Sequence, residues 1–163
     1  MSSLMKSAVI FYSYSGNTKK VAEILTEELK QKGEAIIIEL KALDESNKFF
    51  SQCQRAFRRK RAKLEPVSFN LAEYDLICLG TPVWAFGPAP AINTYLDECL
   101  GIAGKEVVLF STYGSGTGSE RCLNYMQDAL AKKGVKSFKR FSVQQFKVKD
   151  KEPVLAKIKE LLC

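Results

Sequence analysis

The chain has 163 residues, 46% of them hydrophobic and 26% charged, with a formal net charge of +7 and no histidine. That composition suits one globular domain, residues 1–163, with a single core and no need for disulfide or metal staples. Without an imidazole, Ser-His-Asp hydrolysis, Cys-His proteolysis, His-ligated metal sites and histidine general-base chemistry are all excluded.

Short apolar runs alternate with helical periodicities along the chain. Ala8 to Tyr12 reads as a buried strand, and from Thr18 the residues Val21, Ile24, Leu25 and Leu29 recur at helical spacing until Gly33. Ala35 to Leu40 is a second apolar run. Phe49, Cys53, Ala56 and Phe57 fall on one helix face, with Arg55, Arg58 and Arg59 opposite. Leu76 to Leu79 is a third strand running into Gly80, and Ala91, Ile92, Tyr95, Leu96, Cys99 and Leu100 make a helical stripe. Val107 to Phe110 is the fourth strand, and Leu123, Met126 and Leu130 mark a helix closed by Gly134. Val135 to Val143 is a weaker strand bearing Lys139 and Arg140, and Val154, Leu155, Ile158, Leu161 and Leu162 form the last helix.

Five strands alternating with five helices predict an α/β fold, a doubly wound five-stranded parallel sheet with helices on both faces. Right-handed crossovers give the order 2-1-3-4-5, with the charged fifth strand at an edge. No apolar run approaches the roughly 18 residues of a membrane span, and Met1 to Ile10 lacks the pattern of a secretory leader. The five cysteines contain no CxxC pair. They read as reduced thiols of a cytoplasmic protein, with neither a metal site nor a disulfide frame. Cys53 and Arg59 match a C-x5-R phosphatase spacing, but no glycine lies between them and the segment reads as helix, so that reading is set aside.

Charge is local. Arg55 to Lys63 carries +6 and Lys132 to Lys151 carries +7, which leaves −6 on the remainder. That distribution argues against a chain that coats nucleic acid. Arg55, Arg58, Arg59, Lys60 and Arg61 instead suggest docking of an acidic partner, although a charge run of this kind is most often a solvated helix face.

In a sheet of this order ligands bind beyond the carboxyl ends of the strands, so the turns after the first, third and fourth strands are the candidates. Ser13, Tyr14, Ser15, Gly16, Asn17 and Thr18 precede a helix and offer neutral donors for a phosphate. The same residues also suit an ordinary turn capped by Thr or Asn. Thr81, Pro82, Val83, Trp84, Ala85, Phe86 and Gly87 form a proline-stiffened stretch holding the single tryptophan, suited to a flat stacking ligand. Ser111, Thr112, Tyr113, Gly114 and Gly116 make a turn whose glycines permit close backbone approach.

These motifs, from Phe11 to Ile24, Tyr74 to Gly87 and Val107 to Gly116, resemble in order those of the flavodoxin-like proteins that bind flavin mononucleotide (FMN). The resemblance covers essentially the whole chain. It implies FMN as cofactor, with Ser13, Ser15, Asn17 and Thr18 at the phosphate and Trp84 stacking on the flavin. Thr81, Phe86, Gly87, Tyr113 and Gly114 would belong to the flanking loops. It implies electron transfer between redox partner proteins. The alternative is an FMN-dependent oxidoreductase that takes hydride from NAD(P)H and reduces a quinone or similar small acceptor. A net charge of +7 departs from the acidity typical of carrier flavodoxins.

Overall fold

The computed structural model describes residues 4–43 and 61–163. Strand β1 (Met5–Phe11) leads into helix α1 (Asn17–Lys30) and strand β2 (Gly33–Glu39). Then come β3 (Leu76–Trp84), β4 (Gly87–Pro88), α2 (Pro90–Glu98), β5 (Glu106–Tyr113) and α3 (Ser119–Ala131). Strand β6 (Ser137–Gln144), a 3-10 turn at Gln145–Lys147 and α4 (Lys151–Leu162) complete the chain. No helix among the described residues is long and apolar enough to cross a membrane.

The sheet runs β2-β1-β3-β5-β6, each neighbour parallel, with β4 antiparallel on the end of β3. Apart from the added β4, this is the expected order. Successive side chains of a strand point to opposite faces, and that alternation divides the core into two layers. Ala8, Ile10, Ile77, Leu79 and Leu109 meet Ile92, Tyr95, Leu123 and Met126 from α2 and α3. Val9, Phe11, Cys78, Val108 and Phe110 meet Val21, Leu25, Leu29, Val154 and Ile158 from α1 and α4. Each fully buried aliphatic side chain contributes roughly 1.5–3 kcal/mol, so the central strands hold the stability and the turns at their ends are left for binding.

Three details differ from the sequence reading, and a fourth reading falls outside the described residues. Strand β3 does not stop at Leu79 but continues through Pro82 to Trp84 and turns back into β4. Its pairing with β1 ends at Phe11↔Gly80, and a proline is tolerated once one flank of a strand lacks a partner. Strand β2 is not buried on both sides: it pairs with β1 alone among the described residues, and Ile37 is 42% exposed. Gly33 opens β2 and is not the cap of α1, which is Gln31, and it lets β1 approach closely, since a Cβ there would stand 2.2 Å from the Met5 carbonyl oxygen. The basic helix expected around Arg55, Arg58, Arg59 and Lys60, with Cys53, lies outside the described residues. Arg61 is described, outside any helix or strand, and its Nε donates to the Asp97 carboxylate.

Candidate functional site

Paired register fixes where the turns open. Phe11 stands beside Gly80, Pro82 beside Thr112, and Tyr113 beside Gln144. The turns after β1, β3, β5 and β6 therefore share one rim of the sheet.

At the first turn Gly16 takes a left-handed backbone (φ 94°) and is the N-cap of α1, without a side-chain cap. The expected Thr or Asn cap does not form. Ser13 Oγ instead accepts the N–H groups of Gly16 (3.1 Å) and Lys19 (3.2 Å). The amide of Asn17 donates to Ser15 Oγ (3.1 Å) and Gln145 Oε1 (3.3 Å). Thr18 is buried, and its hydroxyl bonds that of Thr112 at 2.7 Å, tying α1 to β5. The backbone N–H groups of Asn17 and Thr18 meet no acceptor among the described residues. Free donors at a helix N-terminus, with the positive end of the helix dipole, make an anion seat.

The second turn is a two-residue hairpin between Trp84 and Gly87. Both central residues, Ala85 (φ 48°) and Phe86 (φ 66°), lie in the left-handed region, as a type I′ turn demands. Thr81 Oγ1 accepts the Ala89 N–H at 3.0 Å and donates to the Pro82 carbonyl at 2.8 Å, bracing the hairpin from beneath. Trp84 is only 4% exposed, with its ring edge-to-face against Tyr12 and Tyr14, each 5.7 Å away. It forms a wall of the site and does not project as a free stacking platform. The accessible aromatic surface belongs to Tyr14 (41% exposed) and Phe86 (43% exposed). Phe86 lies against Gly118, where a Cβ would approach its ring to 2.8 Å, and the Arg121 guanidinium sits 5.7 Å above its centre.

At the third turn Ser111 is buried against Ser142, with hydroxyls 2.7 Å apart, and Gln144 Nε2 donates to the Gly114 carbonyl at 3.1 Å. A Cβ on Gly114 would meet Gln145 Nε2 at 2.9 Å, so the glycine there permits close packing of the turn after β6.

Together the turns enclose a cleft of about 560 Å³, within the roughly 300–1,000 Å³ of small-molecule sites. Tyr14, Ser15, Pro82, Val83, Trp84, Ala85, Phe86, Thr112, Tyr113 and Gly114 line it. Ser13, Gly16, Asn17, Thr18, Thr81, Gly87, Ser111 and Gly116 do not. Ser13, Thr18, Thr81 and Ser111 make hydrogen bonds that brace the turns, and Asn17 and Thr18 open α1 close in sequence to Ser15, which lines the cleft. Ser115, Thr117 and Gln145 line the cleft and were not anticipated. Gln145 was accessible to reasoning, because the strand beside β5 must end on the same rim. Among the described residues, no Asp, Glu, Lys or Arg lines the cleft.

Comparison with known proteins decides the family: residues 6–150 match the family model described as Flavodoxin. The chain belongs to the flavodoxin family. The match supports FMN as its cofactor. A structure assigned as a flavoprotein from Bacteroides uniformis ATCC 8492 shares 23% identity, covering 95% of this chain and 98% of that one, with a TM-score of 0.72. A flavoprotein in complex with FMN from Lactobacillus acidophilus NCFM shares 22% identity over 98% and 99% of the two chains, with a TM-score of 0.65. An NADH:FMN oxidoreductase in its apo form shares 16% identity over 96% and 86%, with a TM-score of 0.64. At these identities the likeness carries the fold.

The residues of this flavodoxin fit the cofactor in chemistry. A phosphate finds neutral donors at the α1 terminus, and a planar apolar ring finds an uncharged cleft walled by aromatic side chains.

Proposed function

We propose that this flavodoxin binds FMN in the cleft between its rim turns and carries electrons between redox partner proteins. The observation that supports the reading is a cleft that no charged residue lines among the described residues, set beside the Asn17 and Thr18 N–H groups, which meet no acceptor among them. Bound FMN supplies the redox chemistry that no cleft side chain provides. The protein's part is to bind, orient and exclude water. The N–H groups of Asn17 and Thr18 and the hydroxyl of Ser15 are the donors for the phosphate. Ser13 fixes the turn that presents them. Trp84, held by Tyr12 and Tyr14, gives a rigid wall, and Tyr14 and Phe86 cover the apolar ring.

Among the described residues the cleft offers no carboxylate or ammonium as a general acid or base, and electron transfer needs neither. Half-exposed rings at the mouth leave the site approachable by a partner's redox centre.

The test is titration of flavin-free protein with FMN and with riboflavin, followed by flavin fluorescence. One-to-one binding that favours FMN at least about tenfold (1.4 kcal/mol) is expected, and Asn17→Asp should abolish that preference by placing a carboxylate beside the phosphate. Equal affinity for the two flavins, or none for either, overturns the proposed seat. Anaerobic mixing of the FMN-loaded protein with NADPH separates carrier from oxidoreductase. Unbleached flavin supports the carrier, and rapid bleaching supports hydride transfer to reduce a quinone or similar small acceptor.

A further inference from the structure

Three exposed aromatic side chains stand on separate turns of the rim: Tyr14 after β1 and Phe86 after β3, which line the cleft, and Phe146 (59% exposed) after β6, next to the lining residue Gln145. Cations stand beside two of them. Arg121 lies over the Phe86 ring and forms no ion pair among the described residues. It occupies the first turn of α3, where the helix dipole disfavours positive charge. The neighbouring Glu120 is bonded to Arg140 at 2.5 Å. Lys147 and Lys149 flank the turn after Phe146, are exposed, and form no ion pair among the described residues. Of the carboxylates at this end, Glu39 is held by Lys41 (2.6 Å) and Lys19 (3.4 Å). Asp150 and Glu152, at the start of α4, are exposed.

We propose that this rim is a docking surface for an acidic redox protein. The inference rests on the carrier reading above and gives the partner's chemistry. Exposed aromatic residues together with arginine are the composition of protein interfaces. The cations sit on two elements outside a cleft that is itself uncharged, so a small anion inside the cleft meets neither. A protein face bearing spaced carboxylates around an apolar centre meets both and brings its redox centre to the mouth. The sign is opposite to that of a carrier that docks basic partners.

The experiment measures binding of an acidic [2Fe–2S] ferredoxin to the full chain by amide chemical-shift titration, with and without FMN. Expected are shifts at Tyr14, Phe86 and Phe146 and a Kd that rises at least about tenfold between 20 and 300 mM salt, through screening. Arg121→Glu and the pair Lys147→Glu, Lys149→Glu should each weaken binding about tenfold. Lys136→Glu, at the opposite end of β6, should leave it unchanged. Binding that is absent, maps elsewhere or ignores both rim reversals overturns the proposal. So does tighter binding, at the same salt, of a basic cytochrome c or of a single-stranded DNA oligomer. Docking by protein that fails to take up FMN keeps the surface and removes the carrier reading, so the two fail separately.

Discussion

Ala85 and Phe86 sit in a backbone region that only glycine enters without steric cost, roughly 1–2 kcal/mol for each other residue. The hairpin needs both, because a two-residue turn of this twist has positive φ at each centre. Ala85→Gly removes that strain and adds about 0.5–1 kcal/mol of unfolded-chain entropy. The expected result is a protein as stable as the parent or up to about 1.5 kcal/mol more stable, read from the denaturant midpoint. A clear loss of stability would show that the methyl group, and not the backbone, dominates there. Thr18 gives the converse case. Its buried hydroxyl is paired with that of Thr112, so Thr18→Val leaves a buried oxygen without its partner and should cost about 1–3 kcal/mol. In the sequence Thr18 resembled a phosphate ligand. Its side chain is turned inward, a fact that spacing does not encode.

At the scale of elements, the strands most legible in the sequence were those whose both faces meet helices. Ala8 to Phe11, Ile77 to Leu79 and Val107 to Phe110 are uninterrupted apolar runs because no position in them faces water. Strand β2 misled for the same reason: Ile36, Ile37 and Ile38 form an apolar run at an edge, where Ile36 and Ile37 are exposed. The β3–β4 hairpin was hidden because its turn residues are Ala and Phe, and the usual hairpin signal is Asn-Gly or Asp-Gly. The far end of β2 carries a pH dependence. Burial raises the Glu39 pKa, but the charges and hydrogen bonds of Lys41 and Lys19 outweigh it and hold the group below its ordinary 4.5. A carboxyl lowered in the folded state stabilises the fold above its unfolded pKa, and that share is lost as pH falls through the folded value. Comparing the parent with Glu39→Gln, the stability difference should be largest near neutral pH and vanish well below pH 4.5. A difference independent of pH would assign the effect to packing.

Across the whole molecule the sheet separates stability from binding. Its interior thiols illustrate the closed side. Cys78, Cys99 and Cys122 are buried, Cys163 is exposed, and burial pushes the Cys78 and Cys99 thiols up from their ordinary range. Reactivity follows the thiolate. Alkylation of native protein mapped by mass should therefore label Cys163 and spare the three buried thiols until unfolding. Early modification of Cys78 would mean that β3 opens locally. The rim could be located from the sequence because strand order dictates where turns converge. The division of labour within it could not. Ser13, Thr81 and Ser111 looked like ligand-facing groups yet brace the turns, whereas Gln145 reaches the cleft from the turn after a strand that carried no motif.

The single indole of this chain is also the wall of its cleft. Its emission should be blue-shifted in the native state, as suits a ring packed away from water. An acceptor chromophore lodged beside it would drain that emission. Occupancy of the site can thus be followed optically in the unmodified protein, with no label introduced, and the same signal reports unfolding through its red shift.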